Sequence, residues 1–155
     1  MKLLKTLLIA NWELIADKAF INKLLEIDWQ AIFLKLIMSE KCLCLNAHQA
    51  ILTIYKYGLF LYLISKYPDK KMVPNQEIDA ALHAHITNHD KFEKDCINLF
   101  NNKLVHVPEV GINPEERQEW LLTFSETQKL FERNFGQDAM GSSTAACCEL
   151  LLSFK

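Results

Sequence analysis

Four of the five histidines of this chain fall between Val73 and Pro108, in the run VPNQEIDAALHAHITNHDKFEKDCINLFNNKLVHVP. Asp79 and His83 are four apart, so on a helix they share a face. A carboxylate there can accept the proton of one imidazole nitrogen, fixing the tautomer and leaving the other to bind a metal or act as a base. His85 is two residues further on and points elsewhere on a regular helix. Cys96 offers a thiolate from the next helical stretch, and His106 returns from the loop beyond it. His83, His85, Cys96 and His106 together have the nitrogen and sulfur chemistry that zinc takes, with Asp79 orienting His83. Their spacing is that of no standard zinc finger. Hydrogen-bonded histidines packed in a core are the competing reading, since buried polar groups are normally satisfied. A catalytic Cys96–His pair is a third, and it needs a low-pKa, partly exposed thiol.

The elements that must position these residues read as helices. The 155 residues are half apolar, with nine Phe and only four Gly and four Pro, which suits a single helical domain with a real core. Apolar residues recur at near-helical spacing over 2–26, predicting a helix in two pieces. Asp28 caps a second segment whose stripe is Trp29, Ile32, Phe33, Leu36 and Ile37. Asn46 caps a third that runs to about Lys66, is apolar round most of its circumference, and should be the central helix. Pro68 and Asp69 end it. Asn75 caps a short helix through about Ile86, and Asn88 caps the next, with Phe92, Cys96, Leu99 and Phe100 on one side. Asn101–Asn102 marks a turn, and residues 103–112 read as irregular or extended. Asn113-Pro114-Glu115-Glu116 starts another helix, and Gly136 closes it. Gly141-Ser142-Ser143 starts a last short helix carrying Cys147, Cys148, Leu151 and Leu152. The expected fold is therefore all-α: a compact single-domain bundle of six or seven helices spanning 1–155.

Charge and cysteine usage narrow the function classes. Residues 1–73 carry ten Lys against six acidic residues, and the remainder seven basic against thirteen acidic, with no basic run dense enough for nucleic acid. Ile51–Ile64, the most apolar window, is interrupted by Lys56 and is too short for a membrane span, which takes roughly 20 residues. The opening MKLLKTLLIANWELIADK has too short an apolar core for a signal peptide and reads as an amphipathic helix. Five cysteines without an export signal read as reduced thiols in a cytoplasmic protein. Cys42-x-Cys44 reads as small apolar filling, His89 as solvent-facing, and Trp29 and Trp120 as core. No oxyanion-hole motif, phosphate loop or cofactor signature is present.

Tyr55, Phe60-Leu61, Val73-Pro74, Ile78-Asp79, Leu82-His83-Ala84-His85, Phe92, Asp95-Cys96 and His106-Val107-Pro108 form a pattern. It resembles that of the glycine-rich domain-containing protein-like family, in its short bacterial form without the glycine-rich segment. The family-like core covers about 46–136. Leu82 stands where that pattern usually has Trp, Asn101 or Asn102 where Gly is common, and Val105 where a second His often precedes His106. The resemblance implies no defined reaction. The functional expectation is a small cytoplasmic helical protein with a His/Cys cluster that binds a divalent metal such as zinc. The alternative is a metal-free helical adaptor, its histidines structural and its acidic C-terminal half facing an unknown protein partner.

Overall fold

The computed structural model describes residues 2–38 and 45–153. Among them are seven α-helices: α1 (Lys2–Asn11), α2 (Lys18–Leu24), α3 (Trp29–Ile37), α4 (Ala47–Lys66), α5 (Gln76–Ile86), α6 (His89–Phe100) and α7 (Pro114–Phe135). Two short strands, β1 (Leu104–Pro108) and β2 (Cys148–Leu152), pair antiparallel. The Cys42-x-Cys44 pair lies outside the described residues.

Four of the caps form where the sequence puts them, whereas Asn113 stands at the start of α7 without a side-chain cap bond. The side chains of Asp28, Asn46, Asn75 and Asn88 each accept a bond from the backbone N–H three residues on. At Asn46 the cap is reciprocal, because Gln49 returns its side-chain oxygen to the Asn46 N–H. α4 is the central helix, with ten of its twenty residues buried, including Tyr57, Leu59, Phe60, Leu61, Leu63 and Ile64. Each large apolar side chain removed from water there contributes about 1.5–3 kcal/mol. Trp12, in a 3₁₀ turn after α1, packs beside Trp29 of α3, their ring centroids 5.3 Å apart, and Trp29 meets Tyr57 edge-on at 6.1 Å. Gly58 is what lets α4 approach Trp12: a Cβ there would lie 2.4 Å from the indole. On another side of α4, Phe131 of α7 stacks on Phe60 at 6.4 Å.

The expectation of a purely helical fold is corrected by the sheet. The apolar stretch expected to form a last helix is β2, in which Cys148, Leu150 and Leu152 are buried. Non-local pairing decides this. Leu150 exchanges both backbone hydrogen bonds with Met72 (2.9 Å each), while β1 pairs along the other edge of β2. The approach to β2 lies across the start of α5. There Ala146 N–H donates to Pro74 O, Gln76 N–H to Thr144 O, and the Asn75 side chain to Met140 O. Trp120 of α7 donates its indole N–H to Ala146 O at 2.9 Å. A short amphipathic helix over 141–152 would give up all of these bonds.

Candidate metal centre

β1, β2 and α5 bring a donor set together. In the sheet His106 pairs with Leu150 and Pro108 with Cys148. Residues two apart on a strand share a face, so His106 and Cys148 are diagonal neighbours on the same side. That side meets α5 at Asp79. The Cys148 thiol donates to Asp79 Oδ1 at 3.4 Å, and Asp79, His106 and Cys148 offer ligand atoms that all lie within 4.8 Å of one another. His83, one turn along α5, places Nε2 3.3 Å from Asp79 Oδ2 and sets its ring perpendicular to that of His106, centroids 5.6 Å apart. The Asp79 carboxylate is thus divided, one oxygen toward Cys148 and the other toward His83.

The electrostatics suit a cation. His106 Nε2 is buried and has no hydrogen-bond partner among the described residues. Burial, then the neighbouring His83, hold the His106 imidazole below its usual pKa of 6.5, outweighing the opposite pull of Asp79. The ring is therefore neutral near pH 7, as a ligand must be. Burial first, then the Asp79 carboxylate, push the Cys148 thiol well above its normal range. A metal ion would reverse that by replacing the proton shared between sulfur and carboxylate. Zinc bonds of about 2.0–2.3 Å set tetrahedral donors about 3.3–3.7 Å apart, so atoms now within 4.8 Å of one another would close by about 1.5 Å at most. Access is from the α5 side: the His83 side chain is 62% exposed and Asp79 18%. Both border a groove of about 670 Å³ whose lining includes Leu34, Met38, Ala80 and Thr87.

Of the four ligands expected from sequence, His83 and His106 meet here, whereas His85 and Cys96 do not. α5 stays regular through Ile86, so His85 is carried to the buried side. There Tyr57 lies 2.7 Å from Nδ1 and Asp95 Oδ2 2.8 Å from Nε2. A carboxylate only accepts, so the imidazole donates from Nε2 to Asp95, and Nδ1 is hydrogen-bonded with the Tyr57 hydroxyl. Lys91 donates to the other Asp95 oxygen at 3.2 Å, and Phe92 meets the His85 ring edge-on. Both ring nitrogens are thus occupied in a packed network. Cys96 is buried, and burial together with nearby Asp95 pushes its thiol up to about 12, which removes the thiolate that a nucleophile needs; it offers no atom to the Asp79, His106 and Cys148 group. His89 is solvent-facing, 3.4 Å from Glu93.

Cys148 is absent from the ligand set expected from sequence, which places it on a last short helix; only the register of β1 on β2 sets it beside His106. Comparison of the chain with family models, with curated proteins and with solved structures gave no match.

Proposed function

We propose that this protein binds one divalent metal ion, zinc before others, through Asp79, His106 and Cys148. One observation carries the reading. A buried imidazole nitrogen without a partner is costly, by about 1–3 kcal/mol; His106 Nε2 has none among the described residues and sits in a group that also offers a carboxylate and a thiol. Thiolate with imidazole and carboxylate is a borderline-soft set that suits zinc. The resemblance to the glycine-rich domain-containing protein-like family belongs to the same proposal, since His83 and His106 lie in the shared motif. The free thiols of Cys96, Cys147 and Cys148 fit a reducing, cytoplasmic setting.

Equilibrium dialysis against zinc tests the reading. The parent should retain one ion per chain, as should Cys96→Ser, while His106→Leu and Cys148→Ala should retain none. Zinc held equally well by Cys148→Ala would overturn it. The metal-free adaptor has one observation on its side, namely that His85 is fully engaged by Tyr57 and Asp95. That supports a structural role for one histidine and leaves His106 unexplained.

A further inference from the structure

The donors come from three separate segments, α5, β1 and β2, and Asp79 and Cys148 are 69 residues apart in sequence. A two-stranded sheet is marginal alone. Resting on the metal reading above, we propose that the bound ion is a clasp, with His83 as its fourth ligand, that fastens β1 and the C-terminal strand to α5.

β2 is tied by its pairing to β1, by the two Met72–Leu150 bonds and by the Lys71–Glu149 ion pair, while the bonds to the start of α5 come from the segment before it, at Ser143, Thr144, Ala145 and Ala146. The one described side-chain bond from Cys148 to α5 is the 3.4 Å contact with Asp79. An ion bonded to Asp79, His83, His106 and Cys148 replaces that contact with links to all three segments at once. His83 is the neighbouring further donor: it lies outside the Asp79, His106 and Cys148 group, but its exposed side chain sits 3.3 Å from Asp79 Oδ2 with its ring centroid 5.6 Å from that of His106, and it completes the shell by swinging inward. Any opening that lifts β2 from α5 must then first release the ion. Such openings become rarer by the factor 1 + [Zn]/Kd, about 100-fold when free zinc is 100 times Kd. Openings elsewhere in the domain that leave the site intact are unaffected.

Amide hydrogen exchange on the full chain, chelated and then reloaded with zinc, reads this out. The N–H groups of Ala146, Leu150 and Ser153, which donate to Pro74, Met72 and Lys103, should exchange about 100-fold more slowly with zinc at 100 Kd. Those of α2 should change less than about threefold, since α2 contributes no donor. His83→Gln should bind zinc at least about tenfold more weakly and lose the slowing in proportion. Zinc bound with uniform slowing, or none, would overturn the clasp and leave the metal site standing. Unchanged zinc affinity in His83→Gln would remove His83 from the shell. Failure of the parent to bind zinc would overturn the metal reading itself.

Discussion

Replacing His106 by Leu should make the metal-free protein more stable and the zinc-loaded protein less so. In the chelated protein the unpartnered His106 Nε2 is a desolvated polar atom, and such an atom costs about 1–3 kcal/mol. Leu removes that cost and keeps an apolar side chain on the inner face of β1. Against this stands the lost edge-on contact with His83, which as an aromatic pair is worth about 0.5–1.5 kcal/mol. The balance is a gain of about 1 kcal/mol, or about 2–4 °C in melting temperature for a domain of this size. With free zinc at 100 Kd the parent gains about 2.7 kcal/mol and the variant gains nothing. The order of stabilities should therefore invert. Urea denaturation of both proteins, in chelator and in zinc, measures it. A variant less stable than the parent by more than about 1 kcal/mol in chelator would show that Nε2 makes a bond the folded state needs, and the reasoning about this nitrogen would fail.

Asp95→Ala should cost about 1–3 kcal/mol, because it leaves the buried His85 Nε2 without its acceptor; zinc stoichiometry by dialysis should be unchanged. Brief iodoacetamide treatment followed by peptide mass spectrometry should find Cys147, which is exposed, modified before Cys96 or Cys148, whose buried thiols resist ionisation. Zinc affinity should rise about tenfold per pH unit between about pH 7 and 8.5, because each ion displaces one proton from Cys148 while His106 is already neutral. In chelator the depressed His106 pKa acts on stability. The folded state takes up its proton less readily than the unfolded, so His106 favours folding fully above about pH 6.5. That contribution is lost as pH falls through the folded-state value. A pH series of urea melts, with His106→Leu lacking this acid loss, would register it.

Helix starts were the most legible part of the chain, because a capping side chain acts within three residues. Asp28, Asn46, Asn75 and Asn88 could be read directly, and Asp79 with His83 followed from helical spacing. Helical spacing showed that His85, two beyond His83, faces another way on a regular helix, yet it was counted among the ligands, and the regular α5 carries it away from the group. Its partners were not legible, because Tyr57 lies 28 residues before it. β2 was illegible for a deeper reason. A five-residue apolar run such as CELLL has no periodicity that separates strand from buried helix, and its pairing with β1 and Met72 is contact between distant segments. Losing β2 meant losing Cys148, and so the site drawn from sequence took its sulfur from Cys96, which lies outside the Asp79, His106 and Cys148 group.

X-ray absorption at the zinc edge of the loaded protein tests the central claim most directly. One sulfur at about 2.3 Å together with nitrogen or oxygen donors at about 2.0–2.1 Å is the expected shell, with the sulfur signal unchanged in Cys96→Ser. A shell without sulfur, or one whose sulfur disappears with Cys96 rather than Cys148, would contradict the assignment of Asp79, His106 and Cys148.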